Sequence, residues 1–402
     1  MSRRDAPHPV RHVDDRERRA RLGLRHGLAA EARYQDIVDA TRGMTVLHAT
    51  EPATVPLALR ARTVGQRLAD VDSALYSERS IVKQTAMRQT LFGFTLDLLP
   101  AAWGSASARV ARSLRRRLAK DLEAAGVSPD GQSWLDEVGG AVVEMLETTE
   151  ATARELRDLV PAVDLAIGRG SGVWAATTPV APQLLGLLNA QGRVVRAHNA
   201  GHWRNSKPRW TATSGWLAVV PEPLPERQGY AELVRRWLWT FGPGTEADLA
   251  WWLGGTLTAV RHALADVEAV AVSIDGGDEP AWLLPHDLGV VEPPGEWVAL
   301  LPTLDPTVMG WRERSFYVGR HRETTFDSVG NAGTTAWWDG RVVGCWVQEP
   351  DARVRVHLLE DVPARVRRAF AEEAQRLTDW LEGVVVTSIY SSGAMQQAKR
   401  QG

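Results

Sequence analysis

The stretch 44–62 holds the side chains whose types and spacing best suit chemistry. His48, Thr50 and Glu51 lie within three residues of one another, ahead of a run that favours a helix over residues 53–62. In an extended segment, His48 and Thr50 project on the same side, because side chains alternate along such a backbone. The pattern predicts Thr50 as the helix N-cap, with Glu51 at the positive end of the helix. An imidazole, a hydroxyl and a carboxylate placed there could hold a water molecule or an anion.

A purely structural interpretation of the same residues is equally open at this point. Helices often begin at threonine, so Thr50 can be a plain cap. His48 can be a buried, hydrogen-bonded histidine. The functional interpretation requires the imidazole ring to lie open on a basic, concave surface, whereas the structural one packs it in a core.

Length and composition bound the class of protein. The 402 residues are 44% hydrophobic and 24% charged, as in ordinary globular proteins of about two or three domains. No apolar run reaches the length of a membrane span, and the charged N-terminus is unlike a secretory signal. Cys345 is the only cysteine, which excludes an internal disulfide and favours a reducing cytoplasm. The histidines are scattered, so neither a metal nor another cofactor is expected.

Positive charge is carried almost entirely by arginine. The net charge is −2, and the only lysines are Lys83, Lys120, Lys207 and Lys399. Arginine suits bidentate contacts to phosphate, although a GC-rich coding bias would produce the same preference. A predicted helix over residues 109–120 has six basic side chains and no acid. It is interpreted either as a helix that follows phosphates or as a solvated linker.

The order helix, helix, helix, hairpin occurs three times along the chain. A polar hairpin tip in the second copy carries His198, His202, Arg204, Lys207 and Arg209. The predicted fold is α+β, with tandem winged helix-turn-helix units followed by a small C-terminal β-barrel-like domain. The predicted domains are a first winged helix with a basic N-terminal arm and the candidate catalytic strand-to-helix turn (1–105), a basic linker helix with a second winged helix (106–224), a third winged helix (225–292) and the β-rich domain with one helix (293–402).

The β-rich domain is predicted from short apolar and β-branched runs. The tail from Ser391 is polar and is expected to be loose. A single amphipathic helix is expected over residues 362–381. The predicted strands are 297–301, 315–318, 334–338, 342–348, 354–359 and 384–389.

Several stretches resemble signature motifs of one bacterial family. Residues 241–252 and 300–314 are similar to two motifs of the winged-helix DNA-binding family that contains the AlkZ and YcaQ DNA glycosylases. The turn 339–346 resembles a third motif, and residues 47–62 together with 88–91 resemble the N-terminal part. The resemblance spans roughly residues 20–390.

The resemblance implies tandem winged helices and a β-barrel curved around duplex DNA, and excision of alkylated purines or unhooking of interstrand crosslinks. The family motif Gln-x-Gln or Gln-x-Asp is replaced here by His48-Ala49-Thr50. The leading hypothesis is therefore a DNA repair glycosylase for alkylated or crosslinked bases, with His48, Thr50 and Glu51 at the water site. The alternative is a non-catalytic winged-helix DNA-binding protein, either a regulator or a lesion sensor.

The expected partner is double-stranded DNA, bound by a monomer in the cytoplasm at the nucleoid, with no role for a membrane. For Arg312 and Arg314, an ion pair with Asp305 or Glu313 is an equal alternative to a phosphate contact. The residues expected to contact DNA are Arg60, Arg62, Arg88, Arg116, His202, Arg204, Lys207, Arg312 and Arg314.

Overall fold

The computed structural model describes residues 8–169 and 176–401, which form two compact units. The first unit comprises the residues up to Asp72 and those from Ala231 onward; the second unit is Ser73–Tyr230. Residues 1–7 of the predicted basic arm lie outside the described residues. No helix in the described part of the chain is long and apolar enough to cross a membrane.

The helices, numbered in chain order, match most of the predicted ones to within a few residues. They are α1 Asp15–Arg25, α2 Ile37–Gly43, α3 Thr54–Arg62, α4 Leu68–Asp72, α5 Leu99–Ala102, α6 Ala108–Ala124, α7 Gly131–Thr148, α8 Glu155–Leu159, α9 Val180–Ala190, α10 Thr213–Trp216, α11 Glu226–Phe241, α12 Glu246–Leu253, α13 Leu257–Asp266, α14 Pro306–Met309, α15 Ser315–Val318, α16 Arg322–Thr325, α17 Ala364–Leu381 and α18 Gly393–Gln401.

The strands are short, and most of them form hairpins. They are β1 His12–Val13, β2 Leu47–His48, β3 Ile81–Thr85, β4 Leu91–Thr95, β5 Ala166–Arg169, β6 Ala176–Pro179, β7 Val194–Asn199, β8 Pro208–Ala212, β9 Gly244–Thr245, β10 Val270–Ile274, β11 Ala281–Leu283, β12 Val298–Leu301, β13 Thr335–Trp338, β14 Arg341–Gln348 and β15 Val354–Leu358.

The first unit contains two four-stranded sheets. In one, β10 and β11 form the predicted hairpin, β9 pairs with β11, and β1 runs parallel to β10. In the other, β12, β13, β14 and β15 form an antiparallel meander in chain order. Among the described residues this sheet stays open, so the β-rich region is present but does not close into a barrel.

Three sequence predictions for the β-rich region are wrong. Residues 315–318 form helix α15, because one helical turn lets both Phe316 and Tyr317 pack on Trp311, with ring centroids 5.1 and 5.7 Å away. In a strand these neighbours would point to opposite faces. Residues 384–389 form no strand. The expected loose tail is instead helix α18, which buries Ala394, Met395 and Ala398 beside β14.

The second unit packs the helices α6, α7 and α9 with the hairpins β3–β4, β5–β6 and β7–β8. Leu118 of α6, Val142 of α7 and Leu184 of α9 share one apolar core. The buried Asn189 links the elements, because its side-chain amide accepts from the Thr85 backbone N–H at 2.9 Å and donates to the Val194 carbonyl at 3.0 Å. Sequence analysis missed the β5–β6 pair.

The two stretches that resemble family motifs, 241–252 and 300–314, pack against each other in the first unit. Thr245 and Asp248 form a capping box at the start of α12. The second carboxylate oxygen of Asp248 accepts from the backbone N–H groups of Arg312 and Glu313, each at 2.9 Å. The Trp311 indole donates to the Phe241 carbonyl at 3.0 Å. These residues therefore build the unit's core.

A buried ion pair joins the end of α3 to the start of α14. The Arg62 and Asp305 side chains are fully buried, and the guanidinium nitrogens lie 2.9 and 2.5 Å from the two Asp305 oxygens. Arg62 also donates to the Thr307 hydroxyl at 2.7 Å and to the Ala58 carbonyl at 2.7 Å. Because the Arg62 guanidinium is planar and bonds both Asp305 oxygens, the ion pair fixes the orientation of the end of α3 relative to the start of α14.

The polar chain continues from Thr307 through His26 to Thr240. Burial and the nearby Arg62 charge hold the pKa of His26 well below its ordinary value, so the imidazole is neutral. Its Nε2–H donates to the Thr240 carbonyl at 3.1 Å, and its Nδ1 accepts from the Thr307 hydroxyl at 2.9 Å. The Thr240 hydroxyl donates to the Gly43 carbonyl and accepts from Thr45, each at 2.8 Å.

Replacing Arg62 by Met should lower the free energy of unfolding of the first unit by about 3–5 kcal/mol, because Asp305 would remain buried without its partner. Urea denaturation followed by tryptophan fluorescence measures the change. Arg67→Met is the matched control, since the Arg67–Asp70 pair is on the surface and its loss should leave the unfolding curve close to wild type. Equal effects of the two substitutions would contradict the role given to Arg62.

Candidate functional site

The candidate catalytic stretch runs from the end of β2 to the start of α3. His48 is only 6% exposed, whereas Thr50 is exposed and Glu51 is half-buried. The imidazole is therefore buried, and the expectation of an open ring is wrong. The regular extended backbone ends at His48, so the predicted alternation does not continue to Thr50.

Thr50 does not cap the helix. α3 begins at Thr54, and the residue in the cap position is Ala53, whose side chain offers no acceptor. The Thr54 N–H bonds to the Glu51 carbonyl at 3.1 Å, and its hydroxyl donates to the Thr303 carbonyl at 2.8 Å. A turn over residues 51–53 thus replaces the side-chain cap. It leaves Thr50 and Glu51 in a loop ahead of the helix.

Glu51 is an ionisable residue of this loop whose pKa differs from its ordinary value. Burial raises the pKa of its carboxyl, while hydrogen bonds from the Ile389 backbone N–H and the Ser388 hydroxyl act in the opposite direction. The side chain also lines a cavity of about 280 Å³ in the first unit. A carboxyl with a raised pKa beside a cavity is a typical candidate for proton transfer or cation binding.

Two arginines near the end of α3 are engaged inside the first unit. The Arg60 guanidinium pairs with Glu373, whose side chain is 3% exposed. Arg62 is fully buried against Asp305, as described above. Phosphate contacts would require both side chains to leave buried acids, so the prediction that Arg60 and Arg62 bind DNA is replaced by a structural role.

Arg312 and Arg314 have different surroundings. Arg312 is exposed, and its backbone N–H is held by Asp248. Arg314 is buried: its guanidinium lies 4.3 Å from the Phe326 ring centroid and 5.0 Å from that of Trp251, and its Nε donates to the Trp311 carbonyl. Arg314 therefore supports the core. Arg312 keeps a side chain that can reach a ligand.

Helix α6 of the second unit presents basic side chains to solvent. Arg116 and Lys120 are exposed. Arg115 is held by Asp136 at 2.7 Å and by Gln132 at 2.6 Å. The predicted basic helix is therefore present. Some of its basic side chains face solvent, whereas Arg115 joins α6 to α7.

The remaining predicted DNA-contacting residues lie in two hairpins of the second unit. Arg88 is half-buried in the turn between β3 and β4, at φ 54°, rather than within a strand. His202 and Lys207 are exposed in the tip between β7 and β8, and Arg204 there is half-buried. The predicted polar hairpin tip is thus present, and His202 and Lys207 are open to solvent.

Sequence analysis missed a cluster of basic and aromatic side chains around the buried Trp216 of the second unit. Arg79 lies 4.1 Å from the Trp216 ring centroid, and Lys83 donates to the Tyr76 hydroxyl at 3.0 Å. His198 approaches the Tyr76 and Trp216 rings at 5.7 and 5.4 Å, and it bonds to Glu150. Sequence analysis singles out only His198 of this cluster, in the polar hairpin tip. The cluster brings together residues far apart in sequence, so no local pattern reveals it.

Metal-binding chemistry has no visible support in the described residues. No group of three or more histidine, cysteine, aspartate or glutamate side chains there could hold a metal ion.

Comparisons with known proteins agree with this architecture. The solved structure of the DNA glycosylase AlkZ from Streptomyces sahachiroi is similar to this chain, with a TM-score of 0.72 and 18% sequence identity. The similarity covers 92% of this chain and 97% of that one. No curated protein sequence matches significantly. The sequence model of the family described as DNA glycosylase AlkZ-like matches residues 41–380. Because that match covers most of the chain, the protein belongs to the AlkZ-like DNA glycosylase family, whose function is DNA repair.

Proposed function

We propose that this protein hydrolyses the N-glycosidic bond of alkylated or crosslinked bases in duplex DNA, and that the loop at residues 48–51 of the first unit carries the chemistry. The observation that supports this site best is Glu51. Its carboxyl is half-buried, has a raised pKa, lines a cavity and follows the exposed Thr50 directly in the chain. The loop occupies the sequence position of the family motif Gln-x-Gln or Gln-x-Asp.

The chemistry requires little from a general acid, because an N-alkylated purine already carries positive charge and leaves readily. The enzyme must position one water molecule and stabilise an oxocarbenium-like sugar. In our proposal the Glu51 carboxylate orients the water and faces the positive charge, and the Thr50 hydroxyl is a second contact to the water. His48 acts as a positioning residue, because its ring is buried.

DNA is held, in this proposal, by basic side chains of each unit that are exposed or half-buried. Arg312 is one in the first unit. Arg116 of α6 and the hairpin tip with His202, Arg204 and Lys207 serve the second unit, together with Arg88. We further propose that the protein binds double-stranded DNA as a monomer, at the nucleoid.

Substitutions in the loop test the assignment of roles. Glu51→Gln should lower the single-turnover rate of base release by about 10²–10⁴-fold, as expected for loss of a general base. His48→Ala should lower it by about 10²-fold through misplacement. Thr50→Val should cost up to about tenfold, the value of one hydrogen bond. Release is measured on duplexes carrying N7- or N3-alkylated purines or an interstrand crosslink.

Glu279→Gln is the matched control for Glu51, since Glu279 is an exposed acid of the same unit outside the loop. It should retain the wild-type rate. If the wild type binds these duplexes but releases no base from any of them, the protein is a non-catalytic DNA-binding protein and our proposal is wrong.

The pH dependence of base release provides a separate test. Burial raises the pKa of Glu51 above its ordinary value of 4.5, so the carboxylate is lost as the pH falls through a value higher than 4.5. The wild-type rate should decline on the acid side with an inflection above that value. Glu51→Gln should show no such inflection after subtraction of spontaneous depurination. An identical acid limb in the two proteins would remove Glu51 from the mechanism.

The basic surface of α6 should contribute through phosphate contacts. Arg116→Ala should weaken binding to undamaged duplex and reduce the slope of log Kd against log salt concentration by about one, since each lost contact releases one fewer counterion. Arg115→Ala removes the same charge from the same helix, but its guanidinium is held by Asp136 and Gln132. It should change the slope much less, and equal slopes for the two variants would contradict the assignment.

A further inference from the structure

The cavity beside Glu51 lies entirely within the first unit and has a volume of about 280 Å³. That volume is close to the lower limit of pockets that bind small organic molecules, about 300 Å³. Its walls come from α3, from β14 and from the segment 385–388, and α18 closes one side. The apolar lining side chains include Leu57, Pro302, Trp346, Val386 and Met395.

Most polar side chains of the lining are already bonded to the protein. The Trp346 indole donates to the Leu301 carbonyl at 2.8 Å, and the Thr54 hydroxyl donates to the Thr303 carbonyl at 2.8 Å. The Thr334 hydroxyl donates to the Trp346 carbonyl at 2.5 Å. With these groups satisfied, the walls present mainly apolar surface to a ligand.

The charge at the cavity is distributed unevenly. Glu51 is half-buried in the lining, whereas Lys399 is exposed at the edge. A hydrated ammonium in solvent acts weakly over distance, while a partly desolvated carboxylate acts strongly on a neighbouring charge. The cavity is therefore suited to a group that is apolar and adjoins a positive charge.

The segment 385–388, which forms the cover of the cavity, is held by hydrogen bonds to side chains and not by pairing with any described strand. The Gln348 amide donates to the Val384 carbonyl at 3.0 Å and accepts from the Val386 N–H at 2.8 Å. At the other end of the segment, Glu51 accepts from Ser388 and from the Ile389 backbone. The loop proposed to carry the chemistry and the cover of the cavity are thus joined through one carboxyl group.

We infer that this cavity binds the apolar substituent of an N-alkylated purine, with Glu51 facing the positive charge of the alkylated ring. The inference rests on the proposed function and adds a class of lesion: purines whose alkyl group is large and apolar. A methyl group leaves most of such a cavity unfilled, whereas a benzyl-sized group fills it and removes its own surface from water.

Direct binding tests the pocket without catalysis. The probes are 7-benzylguanosine, 7-methylguanosine and guanosine, titrated against the full chain by calorimetry or ligand-observed NMR. The wild type should prefer the benzyl compound over the methyl compound by about tenfold or more. Glu51→Gln should weaken binding of both alkylated nucleosides. Equal affinity for the benzyl and methyl compounds would overturn the inference.

Filling the cavity supplies the matched variants. Val386→Trp places a large ring in the cavity and should abolish the preference for the benzyl compound. Thr387→Trp, at an exposed position of the lining, repeats the test if the first variant does not fold, as judged by circular dichroism. Val290→Trp adds the same ring at a position that is 70% exposed and outside the lining, and it should keep the preference. A preference unchanged by both filling variants would also overturn the inference.

Base release separates this inference from the proposed function. On duplexes with 7-benzylguanine or 7-methylguanine, Val386→Trp should reduce the ratio of the two release rates by about tenfold or more. If the wild type releases neither base while the nucleosides bind as expected, the proposed function fails and the pocket stands. If the wild type releases both and the ratio is the same in Val386→Trp, the pocket fails and the proposed function stands.

Discussion

The buried ion pair between Arg62 and Asp305 is the interaction on which the candidate site depends most. It closes α3 onto α14, and the hydrogen-bond chain through Thr307, His26 and Thr240 reaches Gly43 and Thr45. The loop at residues 48–51 lies between these two anchors. A buried charge is costly unless it is fully paired, so this arrangement has one strongly favoured geometry. These two anchors thereby fix the position of the loop.

The same logic explains why several predicted DNA contacts are structural. Arg60 and Arg314, like Arg62, are engaged with buried acids, aromatic rings or backbone carbonyls. Arginine is suited to both roles, because its planar fork bonds carboxylates and phosphates alike. Residue type therefore cannot separate a core arginine from a DNA-binding one. Burial separates them, and it leaves Arg312 and Arg116 as the exposed candidates.

The candidate site combines the buried His48, the exposed Thr50 hydroxyl and the half-buried Glu51 carboxyl. Glu51 is the residue of the loop at residues 48–51 that lines a cavity and has a raised pKa. In our proposal, catalysis and selection of the lesion both depend on this one carboxyl.

Local patterns in the sequence determined the helices, most hairpins and the stretch that holds His48, Thr50 and Glu51. Helix α12, for example, begins at the capping box of Thr245 and Asp248, which is a local signal in the sequence. The tertiary structure alone decided that His48 is buried, that residues 315–318 are helical and that α18 packs on β14. Each of these depends on partners distant in the chain, such as Arg18 for Phe316 and Trp337 for Tyr317. Spacing along the sequence records local preference, whereas burial is set by long-range packing.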